Sequence, residues 1–140
     1  MSLYLDASAI VPTLVDEGSS PAMRRFLTTA TLRLIVSDFT AAEVASAMSR
    51  LVRMTLLTGE DAEARLSEFD AWRAAATDAI DFQPSDFRLA NIFVRNFDLG
   101  LRAPDAVHAA VCRRGGLQLV TLDRGLAAAA EVLDVPAVVP

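Results

Sequence analysis

The chain opens on Leu3-Tyr4-Leu5, an apolar run long enough for a short buried strand. One residue later, past Asp6, it enters an apolar helical stretch that runs from about Ser8 to Val15. No turn separates the two. A strand that passes straight into a helix, rather than into a hairpin, suggests a crossover to a parallel partner. The same step recurs twice. Leu34-Ile35-Val36 leads through Ser37 and Asp38 to a helical pattern over 40–57, with Val44, Met48, Leu51 and Val52 on one face. Leu117 to Leu122 leads through Asp123 into a helix over 124–133. Strands alternating with helices make this an α/β chain with a mainly parallel sheet.

Between these units the pattern gives a helix over 21–30 after the Glu17-Gly18-Ser19-Ser20-Pro21 turn. A further helix covers 60–77 after Thr58-Gly59, with Ala62, Leu66, Phe69 and Trp72 or Arg73 at helical spacing. A short strand is expected over 79–82, stopped by Pro84, then a helix over 86–96 and a turn at Gly100. Pro104 suits the first turn of a helix that runs to Arg114 and stops at Gly115-Gly116. The stretch 137–139 reads as a last short strand. No linker, repeat or low-complexity tract divides the chain, so residues 1–140 are expected to form a single domain.

Charge and residue types narrow the chemistry. Eighteen acidic residues stand against 13 basic ones, and every basic residue is arginine. A net charge of −5 argues against a basic surface that wraps nucleic acid non-specifically. It leaves room for an acidic site whose local charge a metal ion reverses. The absence of lysine weighs against phosphotransfer domains of the receiver or dehalogenase type, which usually need one beside the phosphorylated aspartate. Asp6-Ala7-Ser8 also lacks the second aspartate of the dehalogenase pattern. Cys112 is the one cysteine, which excludes an internal disulfide and a cysteine-based zinc site. No basic leader with an apolar run follows the start, and no stretch approaches about 18 apolar residues. A cytoplasmic protein without a membrane span is therefore expected.

Four acids fall at comparable places: Asp6, Glu43, Asp105 and Asp123. Each has an ordinary structural explanation. Asp6 and Asp123 can cap the helices that follow them. Thr40-Ala41-Ala42-Glu43 matches capping-box spacing. Asp105 follows Pro104 in a first helical turn, where negative charge suits the dipole. Their joint placement says more. Asp6 and Asp123 both end predicted strands, Glu43 follows one closely, and in a parallel sheet those ends lie along one edge. Carboxylates gathered without lysine partners repel and raise one another's pKa. A hard divalent cation bound by carboxylate and water oxygens relieves that repulsion.

The local wording of four blocks is more specific. They are Leu5-Asp6-Ala7-Ser8-Ala9-Ile10-Val11; Ser37 to Glu43 with Ala47 and Arg50; Leu101-Arg102-Ala103-Pro104-Asp105-Ala106-Val107-His108-Ala109-Ala110; and Leu119 to Ala127 with Ala129-Ala130. In order and spacing the chain resembles the PIN-domain ribonucleases, and among them the VapC-type toxins of bacterial toxin–antitoxin pairs. The resemblance runs from Leu3 to Val139. It implies a PIN-like three-layer α/β/α fold with helices on both faces of the sheet. It also implies an acidic site of Asp6, Glu43, Asp105 and Asp123 that holds Mg²⁺ or Mn²⁺, with Ser8 and Thr121 supporting it by hydrogen bonds. An RNA substrate cut by endonucleolytic hydrolysis, an inhibitory antitoxin docking through a helix, and a homodimer follow from the same resemblance. One departure is Ala7, where threonine is frequent in the family; the lost hydroxyl is not expected to abolish activity.

In that setting Asp6 and Asp105 are the expected primary ligands, and Asp123 completes the shell directly or through water. Glu43 ligates or orients the attacking water. Arg102 and Arg124 flank the acids, while Arg50 and Arg53 share a helical face downstream of Glu43. All four are candidates for the RNA phosphates, against the ordinary alternative of solvated side chains or surface ion pairs. His108, one turn after Asp105, is expected as a partly buried helix residue rather than a general base, with Cys112 continuing its face into the core. Phe69, Trp72, Phe93 and Phe97 are expected mainly in the core. The rival reading is a catalytically silent binding module of the same fold, acting through RNA or protein contacts. A third leaves the acids as caps and places function on a dimer surface.

Overall fold

Strand β1 (Leu3–Leu5) sends Leu3 and Leu5 to one side of the sheet and Tyr4 to the other, as the two-residue period of a strand demands. All three are buried, so β1 is covered on both faces. The computed structural model, which describes residues 1–140, places β1 inside a four-stranded sheet. Its neighbours are β2 (Leu34–Ile35) and β3 (Gln118–Val120), and β4 (Ala137–Val138) closes the far edge in the order β2-β1-β3-β4. Every pairing is parallel, with Leu5 opposite Val120 and Tyr4 opposite Ile35. The expected α/β class with helices on both faces is what forms.

Helices α1 (Ala7–Leu14), α2 (Ser20–Thr29), α3 (Asp38–Arg53) and α4 (Gly59–Ala76) cover one face. There Leu3, Leu5 and Val120 meet Ile10, Met23, Val44 and Phe69. Helices α6 (Ala103–Gly115) and α7 (Arg124–Val132) cover the other, where Tyr4 and Leu119 meet Val111, Cys112, Leu126 and Ala130. Helix α5 (Pro84–Val94) lies outside α6, and Ala90 and Phe93 pack on Ala106, Ala109 and Ala110. Residues 106 to 112 of α6 are buried without a break, because sheet and α5 grip the helix from both sides. No helix is long and apolar enough to cross a membrane.

Three expectations change. Residues 79–82 do not form a strand. Asp78 alone bridges Ile35, and beyond it Ile80 and Phe82 turn their side chains under α5 and α6 instead of extending the sheet. Helix α3 stops at Arg53 rather than Leu57, because Met54 and Leu56 find no core and Thr55 takes a positive φ of 59° that breaks the helical path. Phe97 is 86% exposed, in a short 3-10 turn (Phe97–Leu99), whereas Phe69 and Phe93 are buried as expected. Gly100 closes that turn in the left-handed region, at a φ of 61°.

The α5–α6 pair is stapled by an ion pair that the sequence pattern did not reveal. Asp86 is 1% exposed, accepts hydrogen bonds from Arg114 Nε at 2.6 Å and Nη2 at 3.0 Å, and caps α5 by accepting from the Gln83 amide at 2.7 Å. Removing the carboxylate leaves the Gln83 amide without its acceptor and takes two of the hydrogen bonds of Arg114, which keeps the one to Asp81 O. Asp86→Ala should therefore cost roughly 2–4 kcal/mol of stability, read as a lower urea midpoint with an unchanged slope. A loss no larger than that of a surface substitution would show that the staple does not hold α5.

Candidate metal centre

Sheet order sets the site. From β1 the chain moves outward to β2 in one direction, and β3 and β4 lie in the other, so the crevice between the carboxyl ends of β1 and β3 is the topological switch point. The helices leaving those two strands, α1 and α7, diverge to opposite faces and leave that crevice open. Asp6 caps α1 and Asp123 caps α7, so both acids stand at the switch point.

Asp6 is held tightly. It is 5% exposed, and its amide continues the sheet by donating to Val120 O at 3.2 Å. Ser8 Oγ donates to Oδ1 at 2.6 Å, the Ala9 amide donates to the same oxygen at 3.1 Å, and Thr121 Oγ1 donates to Oδ2 at 2.6 Å. Ser8 Oγ in turn accepts from the Leu122 amide, and Thr121 Oγ1 from the Asp123 amide. Ser8 and Thr121 thus hold the carboxylate in one orientation. Burial raises the Asp6 pKa, and the hydroxyl donors only partly offset it.

Asp105 sits in the first turn of α6, which no strand precedes, so only the packing of α6 on the sheet brings it to the crevice. It is half-buried. Its pKa is raised by burial first and by the nearby Asp123 charge second, while the Arg102 guanidinium pulls the other way. Asp123 is exposed, and its Oδ1 accepts from the Leu126 amide at 3.0 Å. Gly125 leaves room for that arrangement, since a Cβ there would lie 3.2 Å from Asp123 Oδ1.

Glu43 departs from the capping reading. Ser37, not Thr40, caps α3 by accepting from the Thr40 amide at 3.0 Å, and Thr40 Oγ1 donates to Leu5 O at 3.1 Å. Glu43 is one turn further along, where Oε1 meets His108 Nε2. His108 is 2% exposed, fully buried rather than partly so, and Tyr4 Oη lies 2.7 Å from its Nδ1. Nothing local in the sequence marks this Tyr4–His108–Glu43 chain. The legible signal was His108 at three residues from Asp105, which places both on one face of α6.

No three Asp, Glu, His or Cys side chains lie close enough together to hold a metal ion between them. Asp6 is drawn to its hydroxyl donors, Asp123 to its cap and Glu43 to His108. The donor set still suits a hard cation that keeps most of its waters, because Mg²⁺ commonly takes only one or two protein carboxylates. Each Asp6 oxygen has two lone pairs, and Oδ2 uses one on Thr121. Every candidate ligand is an oxygen.

Beside the acids lies an open cleft of about 700 Å³ lined by Glu43, Asp105, Arg50, Arg53, Arg102 and Glu17, among others. A second, of about 470 Å³, is lined by Ser8 and Arg124 and shares Val11 and Glu17 with the first. All four arginines named from the sequence therefore line clefts around the crevice. Glu17 borders both, and nothing in its turn sequence had marked it.

The PIN domain family matches residues 3–132. Ribonuclease VapC46 of Mycobacterium tuberculosis is 32% identical over 142 residues, spanning 99% of this chain and 98% of that protein. Among solved structures, VapC20 of Mycobacterium tuberculosis, a sarcin-ricin loop cleaving toxin, superposes with a TM-score of 0.73 at 18% identity, covering 91% of this chain and 95% of its own. VapBC2 from Rickettsia felis, bound to a DNA fragment from their promoter, gives 0.70 at 14% identity over 100% and 99%. Those two share the fold. With a family match over nearly all of its length and a relative above 30% identity from end to end, the chain belongs to the PIN-domain family, in its VapC branch.

Proposed function

We propose that this protein is a divalent-metal-dependent endoribonuclease that hydrolyses RNA phosphodiester bonds as the toxin of a toxin–antitoxin pair. One observation supports the reading most: Asp6 and Asp123 cap the two helices that leave the switch point, and Asp105, its pKa raised by burial and then by the Asp123 charge, lines a cleft with Arg50, Arg53 and Arg102. Asp6 and Asp105 would hold the cation, Asp123 would complete its shell directly or through water, and Glu43 would ligate it or orient the attacking water. Ser8 and Thr121 keep Asp6 in place. Bound Mg²⁺ or Mn²⁺ supplies an activated water and offsets the charge that builds on the phosphorus oxygens. Arg50, Arg53, Arg102 and Arg124 hold the phosphate backbone on either side. Ribonuclease VapC46, similar from end to end, supports RNA as substrate, and the VapBC2 pair supports an antitoxin partner. A homodimer is part of the proposal by family likeness.

Asp6→Asn and Asp105→Asn keep size and capping ability but lose the ligand charge. Several kcal/mol of transition-state stabilisation then disappear, so kcat on a structured RNA pool with Mn²⁺ should fall about 100-fold or more. Full activity in both variants would sink the mechanism and favour a silent binding module.

Substituting Arg50, Arg53 or Arg102 by alanine should raise KM for RNA and leave kcat nearly intact. The slope of log affinity against log salt should shrink by about 0.7 for each phosphate no longer neutralised. An unchanged slope would return these arginines to the solvated surface.

The raised carboxylates set the sign of the pH response. Ionising Asp6 or Asp105 costs the folded, metal-free protein stability, and that cost is absent at low pH and complete above the raised pKa values. Without metal, Asp105→Asn should therefore melt higher than wild type near pH 7.5 and equal to it below about pH 3. The stabilisation of wild type by Mn²⁺ should grow between about pH 5 and 7.5, because the ion binds the ionised form. Calorimetric melts with and without Mn²⁺ read both effects, and a Mn²⁺ gain that shrinks with rising pH would contradict them.

A further inference from the structure

The chain has a single histidine, and its placement is not that of a core filler. His108 Nδ1 lies 2.7 Å from Tyr4 Oη, and Nε2 meets Glu43 Oε1. The ring is flanked by Tyr4 at a centroid distance of 5.6 Å and by Phe39 at 5.1 Å, so it has no freedom to turn. Tyr4 Oη also lies 2.9 Å from Ser37 Oγ and 3.3 Å from Thr40 Oγ1. No buried side-chain nitrogen or oxygen in the chain lacks a partner.

Hydrogen counting orients this chain of bonds. An ionised carboxylate only accepts, so Nε2 carries the ring proton toward Glu43. In the neutral ring Nδ1 is then an acceptor, and the Tyr4 hydroxyl donates to it. Burial raises the Tyr4 pKa, which keeps that hydroxyl protonated. The participants lie on or beside the elements of three of the four acids. Tyr4 is two residues before Asp6 on β1, His108 is three after Asp105 on α6, and Glu43 is on α3.

Resting on the nuclease reading above, we infer that His108 is a positioning residue: its Nε2–H, fixed by Tyr4 behind it, selects the one Glu43 rotamer that faces the metal and the attacking water. Glu43 is half-buried at the wall of the arginine-lined cleft, and a glutamate there without a fixed donor would sample several rotamers. The bonds also tie β1, α3 and α6, which carry or adjoin three of the four acids, to one buried ring. Partners of this kind, which orient a ligand from behind, typically cost 10–100-fold in metal affinity or activity when removed, a rough scale from metal enzymes.

The test uses the full chain. His108→Leu removes the donor and keeps an apolar side chain, while His108→Gln retains an N–H. Leucine should lower kcat and Mn²⁺ affinity, measured by calorimetry, about 10–100-fold with KM for RNA within about twofold. Glutamine should recover most of the loss. Because the histidine is unique, a two-bond proton–nitrogen spectrum of the wild type should show one imidazole with Nε2 protonated and Nδ1 accepting, and Glu43→Gln should move the Nε2 resonance. If leucine at 108 prevents folding, the glutamine variant and Tyr4→Phe carry the kinetic test, Tyr4→Phe being expected to lower Mn²⁺ affinity. Wild-type kcat and Mn²⁺ affinity in His108→Leu, or a proton on Nδ1 alone, overturn the assignment. Asp6→Asn, run alongside, separates the cases: if it is inactive while His108→Leu is unimpaired, positioning fails alone; if it is fully active, the nuclease reading fails and takes the positioning role with it.

Discussion

A carboxylate taken out of water must be given hydrogen bonds or lose its charge, and Asp6 is where this structure meets that demand. Its three donors come from α1 and from the residue after β3, so satisfying one side chain fixes how β1 and β3 end relative to each other. Ser8 accepts from Leu122 and Thr121 from Asp123, which carries the constraint into the loop that presents the next acid. The crevice between the two strands is thus shaped by a polar network rather than by apolar packing. The apolar clusters lie on the two faces of the sheet, away from it.

Much of this was readable in the sequence, because the signals were local. Strand-to-helix steps without a turn suggest parallel pairing, and β1, β2 and β3 pair that way. Asp6 and Asp123 have the expected capping geometry because a cap depends only on the next three residues. The capping-box alternative for Glu43 fails for a related reason. Thr40 and Glu43 have the right spacing for a box, yet the Ser37 hydroxyl reaches the Thr40 amide first and starts the helix three residues earlier. Local spacing cannot rank two competing caps.

Other features depend on residues far apart in the chain. Asp105 follows no strand, so its arrival at the crevice depends on α6 being clamped between sheet and α5. His108 is separated by 65 residues from Glu43 and by 104 from Tyr4, distances over which periodicity carries no information. Residues 79–82 have strand-like composition, but Ile80 and Phe82 are used beneath the helices. Such departures arise where tertiary packing overrides intrinsic preference.

Asp6 and Asp123 are helix caps and Asp105 lies in a first helical turn. Each helix end contributes about half a positive charge, so the crevice already contains a diffuse cation built from peptide dipoles. That charge offsets part of the repulsion among the carboxylates from within the fold itself. An ion bound as proposed would add to an electrostatic environment that is already partly balanced. Under the proposed function, occupancy of such a site would follow the free ion concentration around it.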